Sequence, residues 1–125
     1  MSLPKCFVLH LGRTNPKHCY KISDFELHKC SEMKDLCVYM SHNLSSTVHC
    51  NQIVKKARLV SNLIIKSFFS RKPEILMKAF LTYVRPILEY SCIVRNPLLK
   101  KDIFAVESVQ RRFTKRLLIF RHLSY

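Results

Sequence analysis

The sequence predicts an α+β fold, a small antiparallel β-meander over residues 1–45 followed by a three-helix bundle over residues 46–125. Two observations predict it. Before residue 46 the apolar residues come in short runs rich in aromatic and β-branched side chains, separated by turn-forming residues; beyond it they recur at helical spacing. The sole glycine is Gly12, so no flexible residue interrupts the second part.

In CFVLHLG, Phe7, Leu9 and Leu11 alternate with Val8 and His10, and the run ends at Gly12 and the turn-forming TNPK, which predicts a strand and a turn. CYKI and LCVYM read as further strands. The polar ISDFEL and HKCSEMKD lie beside them, in a meander whose register such short runs leave open. From Ser45, Ser46 or Thr47 as N-cap, a first helix places Ile53, Ala57, Val60, Ile64 and Phe68 on one side, with Lys55, Arg58, Asn62 and Lys66 opposite. Pro73 suits the first turn of a second helix, whose apolar residues from Leu76 to Leu88 cover half its circumference; Glu74 with Lys78 and Arg85 with Glu89 are spaced to pair across one turn. Pro86 predicts a kink. CIVRNPLLKKD is a connection turned at Asn96-Pro97. Asp102 is the expected cap of a last helix striped by Ile103, Val106, Val109, Phe113, Leu117 and Phe120.

With 125 residues, nearly half of them hydrophobic, the chain has the size of one domain with a core of its own. Its 22 Lys and Arg against eight carboxylates give a net charge of +14, which predicts self-repulsion and affinity for polyanions: nucleic acid, an anionic membrane face or an acidic protein. The apolar runs are too short to span a bilayer, and no membrane partner is expected. MSLPKCFVLHLGR lacks the apolar stretch of a secretory signal, so the six cysteines are expected to be free thiols in an intracellular, reducing compartment.

Catalysis and metal binding find little support. Cys6 with His10, His28 with Cys30, and His49 with Cys50 are close in sequence, but no C-x-x-C knuckle accompanies them and no metal is expected. The eight carboxylates are dispersed with no adjacent pair, no G-x-S-x-G turn occurs, and one glycine builds no phosphate-cradling loop; no catalytic residue is assigned.

The strongest local signal is SVQRRFTKRL. Arg111 with Lys115, and Arg112 with Arg116, stand at i,i+4, which predicts four cations projecting from one side of the helix in a strip suited to a phosphate backbone. Lys55, Lys56, Arg58 and Lys66 form a second row. A solvated helix face is the plainer reading, but solvated faces ordinarily mix charge signs.

The ordered phrases KCFVLHLGRTNPKHCY, KDLCVYM, VKKARLVSNLIIKSFFSR, AFLTYVRPILEYSCIVRNPLLKKDI and ESVQRRFTKRL resemble the end of the reverse transcriptase of non-LTR (LINE-type) retrotransposons, over nearly all of residues 5–117. The resemblance implies the end of a palm subdomain continuing into a helical, thumb-like region that holds a template-primer duplex. Lys5-Cys6 would match the end of the palm motif after the catalytic aspartates, and Leu36-Cys37-Val38 the primer-grip turn, usually Leu-Gly-Val.

The departures shape the expectation equally. The family's Y/F-x-D-D pair would lie before residue 1, Cys37 stands where glycine is usual, Arg95 replaces a tryptophan, and LIFRHLSY no longer follows the pattern. The chain is thus expected to be a truncated remnant of an RNA-directed DNA polymerase, without polymerase activity and without a cofactor, Mg²⁺ being required only by the complete enzyme. Its expected partners are duplex DNA or an RNA-DNA hybrid, bound without sequence preference, and the missing palm and fingers. The alternatives are a basic helical adaptor for an acidic protein and a retrotransposon-derived product with no function.

Overall fold

A computed structural model describes residues 2–90 and 99–123 and has the α+β class. Cys92, Arg95 and the Asn96-Pro97 turn lie outside the described residues. A 3-10 turn at Leu3–Lys5 leads into six short strands: β1 (Phe7–Leu9), β2 (Lys21–Ile22), β3 (Phe25–Glu26), β4 (His28–Cys30), β5 (Glu32–Asp35) and β6 (Val38–Ser41). Four helices follow: α1 (Thr47–Ser67), α2 (Pro73–Tyr83), α3 (Arg85–Glu89) and α4 (Lys100–Leu123).

The strands form three two-stranded ladders in place of one continuous meander. β2 with β3 and β5 with β6 are antiparallel, Lys21 facing Glu26 and Glu32 facing Ser41. β1 and β4 are parallel, Phe7 facing His28 and Leu9 facing Cys30, because the chain reverses once after Gly12 and again at the β2–β3 hairpin before it returns beside β1. Two backbone bonds tie the ladders together, Gly12 N–H to the His42 carbonyl and His42 N–H to the Ser31 carbonyl, both 3.1 Å. Polar HKC and EMKD, which periodicity left beside the strands, are themselves strands; their backbones pair although their side chains are largely exposed.

Both antiparallel hairpins turn through two residues with left-handed backbones, Ser23 and Asp24 (φ 46° and 58°) and Leu36 and Cys37 (φ 45° and 64°). That is the type I′ geometry that matches strand twist and favours Asn-Gly. Asp tolerates this region, whereas Leu and Cys pay the full clash of Cβ with the backbone. Replacing the second turn by Leu36→Asn with Cys37→Gly is expected to stabilise the hairpin by about 2 kcal/mol. Slower hydrogen exchange of the β5 and β6 amides is the measurement; unchanged protection would contradict the strain.

The helical core packs Val54, Ala57 and Ile64 of α1 against Leu76, Ala79 and Phe80 of α2, Val84, and Val109, Phe113 and Leu117 of α4. Phe80 and Phe113 stack with ring centroids 4.4 Å apart. In α1 Ala57 and Ile64 are buried as expected, with Val60 and Phe68 packed against the core, but the buried stripe is wider on one side. His49, Cys50, Val54 and Ser61 are buried while Ile53 and Val60 flank them, and Ser61 stays compatible with the core by donating to the Ala57 carbonyl at 2.7 Å. Pro86 acts as expected: the helix breaks at Val84, between α2 and α3, where proline lacks the N–H that would continue the ladder. Arg85 and Glu89 pair at 2.6 Å, which raises the Arg85 pKa, but Glu74 and Lys78 form no pair.

Asp102 is not the cap of the last helix. It lies inside the first turn of α4, is almost fully buried, and accepts a hydrogen bond from the Thr47 hydroxyl at the start of α1, 3.0 Å away. Its charge therefore sits at the positive ends of two helix dipoles. Asp102→Ala is expected to cost about 2 kcal/mol in urea unfolding, as the loss of a buried, charge-assisted hydrogen bond does. A loss under about 0.5 kcal/mol, the range of ordinary surface substitutions, would contradict this role.

Candidate nucleic-acid interface

The predicted cations do not form one strip. Successive helical residues are rotated by about 100°, so Arg111–Lys115 and Arg112–Arg116 are two separate rows, and the packing of α4 on α1 sends them to different surroundings. Arg112 and Arg116 border the α1–α4 seam, where they share a cleft with Arg58, Asn62 and Phe113. Arg111 and Lys115 border another depression with Glu107 and Leu118.

The two rows differ in charge as well as place. Arg111 is tied to Glu107 at 3.2 Å and lies 5.7 Å from the Phe104 ring centre, so its charge is partly cancelled within its own helix. At the seam no carboxylate lines the cleft. The Arg58 guanidinium donates to the Ser108 hydroxyl at 3.1 Å, and that of Arg116 to the Asn62 side-chain oxygen at 2.7 Å. Both bonds cross between helices and involve neutral acceptors, so they orient the arginines without neutralising them. The result is three guanidiniums, two of them held in place, at a seam between rigid helices. Sequence places Asn62 on the polar side of the first helix but not among the binding residues, and does not single out Ser108; Arg58 with Asn62 at i,i+4 was the available signal.

Lys66 is exposed in the last turn of α1, where a cation also complements the helix dipole. Lys55 and Lys56 border a third site, an open groove of about 680 Å³ between the β5–β6 hairpin, α1 and α3. This groove includes Cys37 of the primer-grip-like segment, with Lys34, Tyr39 and Tyr90, which periodicity did not connect. Leu36 points to solvent at 81% exposure, while its carbonyl accepts from the Tyr90 hydroxyl at 3.0 Å, joining the turn to the residue after α3. Val38 opens β6, and Tyr39 N–H donates to Nδ1 of the buried His49 at 3.3 Å, which anchors the hairpin on α1. The turn is thus held against the helices at both ends, with a cysteine in the left-handed position.

Among the described residues, no three His, Cys, Asp or Glu gather as a metal site, no helix is long and apolar enough to cross a membrane, and Cys6, Cys19, Cys30 and Cys37 are free thiols. Comparison with protein-family models, curated proteins and solved structures finds no match.

Proposed function

We propose that this chain is the palm-end and thumb-like part of a non-LTR reverse transcriptase, and that it binds nucleic-acid duplexes through their phosphates without polymerising. The observation that carries the reading is the seam of Arg58, Arg112 and Arg116, free of carboxylates and backed by the helical core. The ordered sequence phrases support the family origin, and the seam supports the residual activity. Guanidinium forks match phosphate oxygens, and contacts to phosphates alone carry no base information, so binding is expected to be indifferent to sequence. The carboxylates are dispersed in sequence with no Asp-Asp pair, and among the described residues none gather as a cluster for the Mg²⁺ ions of the complete polymerase. The short ladders of the described residues leave strand edges unpaired, which suits further palm and finger elements as a partner.

Fluorescence anisotropy with several unrelated 20-base-pair DNA duplexes and one RNA-DNA hybrid tests the reading. Equal affinities are expected, with a log-log salt slope on B-DNA of about −2.7 or steeper, the value for three or more neutralised phosphates. Affinity that follows base sequence, or a flat salt response, would refute phosphate binding. Mg²⁺-dependent primer extension that disappears on a point substitution in this chain would refute the absence of catalysis.

A further inference from the structure

The groove between the β5–β6 hairpin, α1 and α3 differs in chemistry from the seam. Its apolar lining combines aliphatic Ile53, Leu59, Pro86 and Ile87 with the rings of Tyr39 and Tyr90, and Lys34, Lys55 and Lys56 line it as well. Leu59 is 65% exposed although it occupies the middle of a well-packed helix. No carboxylate lines the groove. Lys34 lies 5.3 Å from the Tyr39 ring centre, a contact that leaves its positive charge available. Apolar floors bordered by charge are binding surfaces for amphipathic segments.

We propose that this groove docks an acidic amphipathic helix from a protein partner. Charge complementarity selects the occupant. A second copy of this chain would bring +14 to a lysine-bordered surface, so self-association is disfavoured electrostatically. A nucleic-acid strand would satisfy the lysines and stack on Tyr39 and Tyr90, but would set its polar backbone and base edges against isoleucine, leucine and proline. An acidic helix satisfies both: its apolar face covers the floor and its carboxylates meet Lys34 and Lys56. From Gln52 to Leu59 the groove follows α1 for about 10 Å, two helical turns, which suits anchors at i, i+4 and i+7 of the incoming helix. The site stands independently of the duplex-binding reading, because Lys34, Leu59 and Ile87 lie outside the seam.

The test uses the full chain and a labelled 14-residue peptide with leucines at helical i, i+4, i+7 and i+11 and glutamates on the other face. A second peptide has the same composition scrambled so that the leucines share no face. The amphipathic peptide is expected to bind at least ten-fold more tightly than the scrambled one, and Leu59→Glu and Lys34→Glu are each expected to weaken it at least five-fold while leaving 20-base-pair duplex affinity within two-fold. Leu59 and Lys34 are exposed, so both variants are expected to fold, which circular dichroism spectra matching the unsubstituted chain would verify. Equal binding of the two peptides would overturn the proposal in favour of attraction by charge alone. Loss of single-stranded oligonucleotide binding in both variants, with the peptide unaffected, would overturn it in favour of a nucleic-acid groove.

Discussion

Phe113→Ala is expected to lower folding stability by about 4 kcal/mol, the largest effect of any single substitution considered for this chain. The ring is 3% exposed and stacks on Phe80, so truncation removes an aromatic pair as well as its buried area, and leaves a cavity where α2 and α4 meet. Since small domains retain only about 5–15 kcal/mol in total, the variant should have a much earlier urea midpoint, or be unfolded at 37 °C. Phe113→Leu preserves most of the volume and is expected to cost about 1.5 kcal/mol. The two substitutions also separate stability from binding. Phe113 lies beneath the arginine seam, so Leu should preserve duplex affinity as long as the helices remain docked, whereas Ala should weaken it by loosening the α1–α4 contact. A cost of less than about 1 kcal/mol for Ala would mean that the stack is not central to the core.

The helices were readable because their determinants are local. Apolar spacing located α1 and α4, Pro73 began α2, and Pro86 ended it near where the backbone breaks. What sequence left open depended on docking. That Val54 and Ser61 are fully buried while Ile53 and Val60 are only partly so is set by the helices packed against α1, since residues one position apart are about 100° apart around the axis. Asp102 has the residue type and approximate place of a cap. Only the approach of Thr47, 55 positions earlier in sequence, turns it into a buried tie between two helix ends. The parallel β1–β4 pair was hidden for a related reason: strands of three residues carry too little alternation to specify a partner, and the intervening hairpin decides the direction.

The candidate site was legible in composition and partly legible in position. Charge counting marks the excess of cations, and i,i+4 spacing marks two rows on α4, but which row faces α1 follows from the core side of that helix. Its stripe of Val109, Phe113 and Leu117 leaves Arg112 and Arg116 at the seam and Arg111 beside Glu107. The groove was less legible, because Lys34, Leu59 and Ile87 come from three elements whose proximity no local pattern encodes.

The substitution set Arg58→Gln, Arg112→Gln and Arg116→Gln is expected to weaken duplex binding about 500-fold at 0.1 M monovalent salt and to flatten the log-log salt slope by about 2.7. Glutamine retains a donor for Ser108 and Asn62, so the inter-helix bonds are disturbed less than they would be by alanine. The loss should be uniform across sequences if, as proposed, the removed groups contact phosphates and not base edges. Arg111 provides the internal control. With Glu107 already holding its guanidinium, Arg111→Gln should change affinity less than three-fold, while Glu107→Gln frees that guanidinium for an additional phosphate and should tighten binding by up to about eight-fold at the same salt concentration. Unequal magnitudes from two exposed neighbours one turn apart would distinguish a charge-specific contact from a general response to net charge, which gives equal and opposite changes for the two substitutions. If the triple variant instead retains its affinity and slope, the seam is not where duplexes bind, and the outer row of Arg111 and Lys115 becomes the surface to test by the same salt analysis.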